Sequence, residues 1–549
     1  MKRPVRLLLL FAIALCAGCR LVEPAPPPSL CILHTSDIHG HILPQRVAGE
    51  RHRIGGAAVL AGCVKKIREE NARRGIPTLL LDAGDFYMGT PEGDSSGGQA
   101  LVEVMNALGY DALAVGNHDW DGGVARLRGL AERAAFPFLG ANVIVRETGQ
   151  TPAFLRPHIV KDCGAVRVGV AGVTLEDSTP MPIPGTAASI VCLEPEEQLG
   201  NSVDALRRDR AGLVIVLSHL GLNGDKRLAR KVEGVDLILG GHSHLALREP
   251  FRSPEHGTLI LQPGSYGRYL GKLDLTLDPR SKRVARYDYA LIPLTENRCA
   301  PDAAMEARVD RWRARAGNRF DEIVGWSESD FLKNREGVAM LGEMIADGMR
   351  EATGAQIAFN QRHGIRGPLL EGEIRYRDVY AIIPFDDTLW TVRLTGKQVR
   401  GILERVLSFR RPDNLRFSGL TVDYDPSAPR NARLSAAACG ETPLDDEEVY
   451  LVALNTYLVK WGFIRDLVAE GSALTDTGII ARDMLRDHIR AHSPVSAKRF
   501  AARRLVAVER TAGGGPRGAA ARGAGRRADD HQPPRQDGRE GALNVPGRN

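Results

Sequence analysis

Residues 111–123 read DALAVGNHDWDGG. The apolar run from Ala112 to Val115 has the character of a short buried strand. It breaks at once into an amide, an imidazole and two carboxylates: Asn117, His118, Asp119 and Asp121. Such a cluster is badly placed for a core and well placed for a site, because in α/β sheets the reactive crevice lies beyond the carboxyl ends of the strands.

Working outward, the same pattern recurs. LCILHTSD (30–37) runs into Asp37 and His39, PTLLLDAGD (77–85) ends in Asp85, GLVIVLSH (212–219) ends in His219, and VDLILGGHSH (235–244) carries His242 and His244. A further strand pattern, VRVGVAGVT, lies at 166–174. Amphipathic helical patterns over 55–74 and 97–109 separate some of these runs. Strands alternating with helices predict an α/β layered domain.

Five strand ends therefore offer three oxygen ligands and at least four imidazoles. One four-coordinate ion needs fewer. The set suits two divalent ions about 3.5–4 Å apart that share a bridging carboxylate. Nitrogen and oxygen donors without cysteine fit Mn, Zn, Fe or Co rather than a structural thiolate zinc. Each fragment alone is weak, since DIHG or GHSH also occurs as an ordinary turn; the joint, ordered occurrence carries the weight.

The order D-x-H, G-D, G-N-H-D, H, G-H-x-H resembles the calcineurin-like metallophosphoesterases, and MNALGYDALAVGNHDWDGG resembles their 5′-nucleotidase branch. The resemblance implies a four-layer α/β/β/α sandwich joined by a helix to a smaller α+β substrate-binding domain. It implies Asp37, His39, Asp85 and His244 around one ion, and Asp85, Asn117, His219 and His242 around the other. His118 would face the phosphoryl group with Asp121 orienting it as a His–Asp dyad. Asp119 stands where the family usually has Glu and is expected to be structural. His34 and His41 have no motif role and are expected to pack or face solvent.

The second half matches with departures. IAFNQRHGIRG (357–367), with Asn360 and Arg366, resembles the family's Asn-Gly-Gly-Ile-Arg loop but lacks two glycines and has one extra residue. Phe385 in IIPFDDTLW and Tyr457 in NTYLVKWGF fall at the two base-stacking aromatics, and Arg335 is a further candidate substrate arginine. The family's Gly-Gly-Asp after the second aromatic is absent. Phosphoester hydrolysis with nucleotide substrates is the leading expectation. Nucleotide-sugar or cyclic-nucleotide diester cleavage, or sulfur-ester hydrolysis as in a sister branch, stays open. A surface binding lipoprotein with an inactive metal site is the alternative from another class, against which the His118–Asp121 pair speaks.

The 549 residues exceed one ordinary core. The expected division is a leader (1–19), a Pro-rich tether (20–29), a metallophosphoesterase domain (30–297), a linker helix (298–320), a substrate domain (321–510) and a Gly-, Ala- and Arg-rich tail (511–549) whose composition cannot bury a core. The net charge of +6 lies at the ends. Lys2, Arg3 and Arg6 precede the apolar run, and the tail after Arg510 holds seven Arg against three Asp and one Glu, so residues between sum to about zero and argue against a nucleic-acid footprint. Cationic residues before LLLLFAIALCAGC predict export, with Cys19 as a bacterial lipidation site and a membrane-anchored protein in the periplasm or on the outer surface. The six later cysteines form no close pair, which leaves their pairing open, and oligomeric state is likewise not legible. Replacing Cys19→Ser is expected to release the protein from membranes into the aqueous phase in detergent partitioning; aqueous partitioning of both forms would indicate an ordinary cleaved signal instead.

Overall fold

The computed structural model describes residues 29–176, 189–278, 280–409, 414–460, 464–500 and 504–508. Cys19, the leader, the tether to residue 28 and the 511–549 tail lie outside them.

Two six-stranded sheets form the first half. In the first, strands Val284–Pro293, Tyr269–Leu277, Ser29–Thr35, Thr78–Asp82, Ala112–Ala114 and Phe138–Leu139 lie in that order. The pairings from Ser29–Thr35 through Phe138–Leu139 are parallel. The second runs Phe251–Arg252, Leu259–Leu261, Leu237–Gly240, Leu213–Ser218, Val166–Val173 and His158–Cys163. Side-chain alternation sorts the layers. On the first strand Leu30 and Ile32 point between the sheets, where they meet Val170, Ile215 and Leu239, while Cys31 and Leu33 point outward. Helices Ala57–Arg73, Gln99–Leu108 and Val124–Arg133 cover the outer face of the first sheet. Pro195–Arg208 and Gly221–Lys231 cover the second. The result is the four-layer α/β/β/α sandwich. All the parallel strands point their carboxyl ends toward one rim.

The second half is built on a five-stranded sheet in the order Leu415–Ser418, Ile357–Gln361, Val449–Asn455, Thr388–Thr395, Ser472–Ile480. Helices Arg335–Thr353 and Ala481–Ala491 pack on one face and Gly396–Leu407 on the other. A four-stranded sheet completes it. Among the described residues no helix is long and apolar enough to cross a membrane.

The connector is helix Ala303–Ala316, capped by the Asp302 carboxylate accepting from the Met305 N–H at 3.0 Å. It is docked rather than free-standing. Met305 and Val309 enter the first-domain core, and Trp312 donates its indole N–H to Glu103 at 3.0 Å. Just before it, Cys299 forms a disulfide with Cys63 in helix Ala57–Arg73, with Cα atoms 5.1 Å apart and a sequence separation of 236. The domains then meet through polar contacts: Arg377 with Glu92 at 3.0 Å, the Tyr380 hydroxyl donating to Asp94 at 2.7 Å, and the Tyr266 hydroxyl donating to the Arg366 carbonyl at 3.2 Å.

The disulfide closes a long loop, so it restricts the unfolded chain strongly, and its loss is worth about 2–5 kcal/mol. The double variant Cys63→Ser/Cys299→Ser is expected to melt several degrees lower than the parent, and added reductant to lower the parent's Tm toward the variant's. A Tm insensitive to both would show that the bridge contributes no stability.

Candidate active site

Each chemically active side chain stands where a strand gives way to a loop. Asp37 and His39 follow Ser29–Thr35, Asp85 follows Thr78–Asp82, Asn117 and His118 follow Ala112–Ala114, His219 follows Leu213–Ser218, and His242 and His244 follow Leu237–Gly240. Asp37, His39, Asp85, His242 and His244 all adopt positive φ, between 50° and 68°. Such backbone costs about 1–3 kcal/mol per non-glycine residue and persists only where its surroundings enforce it. The strain makes the side chains converge. Gly116 shows how tight this is, since a Cβ there would sit 2.2 Å from Asp85 Oδ1.

The donors fall into two groups. Ligand atoms of Asp37, His39 and His244 lie within 4.8 Å of one another, and so do those of Asp85, His219 and His242. Asp85 Oδ2 stands between the groups, 3.0 Å from His219 Nε2 and 3.6 Å from His39 Nε2. Asn117 Oδ1 lies 3.0 Å from His242 Nδ1. Two further ring nitrogens are committed to backbone: His39 Nδ1 lies 2.8 Å from the Met88 carbonyl and His219 Nδ1 2.7 Å from that of Ala83, which fixes both ring orientations and aims both Nε2 atoms inward.

These residues fit divalent ions. Asp85 Oδ2 and His219 Nε2 are buried and face each other at 3.0 Å, with no other hydrogen-bond partner for either. Burial pushes the His219 ring down, but the Asp85 carboxylate outweighs it and holds the ring protonated up to about 10. The pair thus demands a positive charge, which a metal ion supplies while displacing that proton.

His118 is oriented differently. Its Nδ1 meets Asp121 Oδ2 at 2.7 Å, and its backbone N–H donates to Asp85 Oδ1 at 2.8 Å. Burial lowers its affinity for a proton, yet Asp121 and Asp85 leave the pKa raised. The ring faces Phe385 of the second domain, centroids 6.0 Å apart.

An interdomain cavity of about 400 Å³ opens beside these groups. His39, His118, Tyr266, Arg268, Arg366 and Phe385 are among its walls. Arg366 and Phe385 are therefore brought to the site. Asn360 is buried behind it, lining a small adjoining cavity with Phe385 and leaving its Nδ2 unpartnered. Tyr457 does not line the main cavity. It is half-buried against the second-domain core, its phenol pushed up by burial and by Asp387. Arg335 stands exposed at the start of its helix and does not line the cavity; it is Lys333 that reaches the cavity wall, 3.3 Å from the Tyr266 hydroxyl. His41 lines the cavity, with its ring 4.6 Å from Tyr266, rather than facing solvent. His34 packs: it is buried beside Tyr289, with burial pushing it to about 3.

Sequence patterns did not single out Tyr266, Lys333 or the buried Asp225. Ser218 and Gln262 donate to Asp225 at 2.6 and 2.7 Å, and Ser243 donates to Gln262, bracing the His242–His244 turn. Asp119 accepts from the backbone N–H groups of Asp85, Phe86 and Gly116 at 3.0, 3.0 and 2.7 Å.

The fold and site define a metal-dependent hydrolase of phosphoesters. Residues 31–246 match the model for calcineurin-like phosphoesterases, and residues 321–463 that for the 5′-nucleotidase C-terminal domain. The chain belongs to the 5′-nucleotidase family. It is 28% identical over 524 residues to the trifunctional nucleotide phosphoesterase YfkN of Bacillus subtilis, covering 85% of this chain but spanning only 34% of that protein. To protein UshA of Yersinia enterocolitica it is 26% identical over 523 residues, 86% of this chain and 92% of that one. A solved 5′-nucleotidase precursor from Thermus thermophilus superposes with a TM-score of 0.75 at 27% identity, covering 88% of this chain and 100% of that one.

Asp119→Ala would orphan three buried N–H groups around the Asp85 loop, each worth about 1–3 kcal/mol. The variant is expected to melt lower and to hold less divalent metal than wild type after equal loading. Wild-type metal content together with wild-type Tm would remove the positioning role.

Proposed function

We propose that this enzyme releases phosphate from 5′-nucleotides at a two-metal centre. Asp37, His39, Asp85 and His244 would hold one ion and Asp85, Asn117, His219 and His242 the other, with Mn²⁺ or Zn²⁺ suited to the donors. When bound, such a pair supplies charge neutralisation and an activated water nucleophile. The observation that carries the reading is Asp85 standing within reach of both donor groups while the His118–Asp121 dyad faces the same cavity.

The chain's own groups do the rest. Asp121 holds the His118 ring and stabilises its cationic form, so that Nε2 can serve the phosphoryl oxygens and the leaving ester oxygen with a proton. Arg366 adds a fixed positive charge beside them for phosphate. Phe385 offers a flat apolar face across the cavity, suited to a base. The resemblance assigns the second face to Tyr457; because Tyr457 stands outside the cavity, selectivity rests here on Phe385. Export with lipid attachment at Cys19 and a position outside the cytoplasm complete the proposal, resting on the leader sequence.

The test compares AMP with p-nitrophenyl phosphate, which lacks a nucleobase, under metal saturation. His118→Ala is expected to retain its metal and lose about 10²–10⁴ in kcat on both substrates. Phe385→Ala should lower kcat/KM about tenfold to a hundredfold on AMP alone, the worth of one stacked base. Loss of metal in His118→Ala would make that residue a ligand. Equal losses on both substrates in Phe385→Ala would leave a phosphoesterase without base recognition.

A further inference from the structure

A second set of metal-type donors lies in the C-terminal half, away from the cleft. Ligand atoms of Glu351, His488 and His492 fall within 4.8 Å of one another. His488 Nδ1 stands 2.8 Å and His492 Nε2 3.0 Å from the same oxygen, Oε2 of Glu351. The two rings lie 4.4 Å apart between centroids.

The convergence follows from helix geometry. His488 and His492 are four residues apart at the end of helix Ala481–Ala491, so they share one face, the spacing used by helical zinc sites. Glu351 sits in the last turn of helix Arg335–Thr353, which packs alongside. Gly348 permits the approach: a Cβ there would lie 2.4 Å from Met484 Sδ and 3.2 Å from His488 Cβ.

We propose that Glu351, His488 and His492 form a further cation site, taking a borderline divalent ion such as Zn²⁺ and fastening helix Ala481–Ala491 to helix Arg335–Thr353. Two imidazoles and a carboxylate are a recognised zinc donor set that leaves one position for water. Glu351 and His492 are partly open to solvent, which gives the ion an entry path. The alternative is a plain imidazolium–carboxylate pair. Burial works against it, since His488 is 7% exposed and a charged ring there loses most of its hydration. Arg499 approaches the other carboxylate oxygen at 3.9 Å and leaves Oε2 to the rings. A cation at this position also faces the negative end of the helix carrying both histidines.

The site would act at a distance on the substrate domain. The opposite end of the same helix carries Arg482, which donates to the carbonyls of Pro384 and Phe385 at 3.2 and 3.3 Å and pairs with Asp386 at 2.7 Å. An ion at the carboxyl end therefore tethers the element that holds the Phe385 loop.

The test uses the full-length protein, stripped with EDTA and reloaded with Zn²⁺ at neutral pH, with zinc counted by plasma mass spectrometry. Wild type is expected to hold about one zinc per chain more than His492→Gln or Glu351→Gln, while all three hydrolyse p-nitrophenyl phosphate equally. Because only the difference is read, the result is independent of how many ions the active site holds. Anomalous diffraction at the zinc edge from loaded wild-type crystals should show a peak among Glu351, His488 and His492, which needs no variant. Equal zinc in all three proteins, or no peak at those residues, would overturn the proposal.

Discussion

The Asp85 carboxylate is the point on which the first domain turns. Its Oδ2 faces His219 on one side and His39 on the other, and its Oδ1 accepts the backbone N–H of His118. A single buried anion thus joins its own loop to the loops of three other strands, drawn from both sheets. Its own loop is pinned by Asp119, which makes the loop after Ala112–Ala114 and the loop after Thr78–Asp82 one unit. The left-handed backbone at five neighbouring residues is tolerable because this network over-determines it.

Much of that arrangement was legible in the chain because it is periodic. Apolar runs of strand length are hard to mistake when each ends abruptly in histidine or carboxylate, and the parallel order brings their ends to one rim. Residues that act through shape or through distant partners left no such mark. Tyr266 lies in an ordinary Gly-Ser-Tyr-Gly turn, yet its ring lies within 5.7 Å of His39, His41 and His244. Asp225 looks like one more polar residue on an amphipathic helix, and only the fold shows it buried beneath the histidine turn. Cys63 and Cys299 could not be paired from a spacing of 236 residues.

The second domain was read less well for a physical reason. The residues expected to meet substrate sit on loops whose lengths differ from the pattern they resemble, and loop length sets where a side chain ends up. Arg366 and Phe385 still reach the cavity, since each is anchored by neighbouring backbone: Arg366 N–H donates to the Ile382 carbonyl at 2.9 Å, and Arg482 holds the Phe385 carbonyl. Tyr457 lies in the first turn of a short helix, Thr456–Lys460, directly after a central strand, and its ring packs against the core. Arg335 stands at the start of helix Arg335–Thr353, capped by Asn334, outside the cavity, while Lys333 just before it reaches the Tyr266 hydroxyl. Asymmetry between the domains is thus expected: chemistry is held by sheet ends, recognition by variable loops.

The bridge from Cys63 to Cys299 has one more consequence. The loop it closes includes every strand end that contributes to the active site except the first, which carries Asp37 and His39. A protease that nicks the chain once anywhere between the two cysteines would leave both fragments covalently joined around the same pair of packed sheets. Outside the reducing cytoplasm, where this chain is inferred to work, the cross-link turns a cut that would release half the active site into a scar on an intact frame.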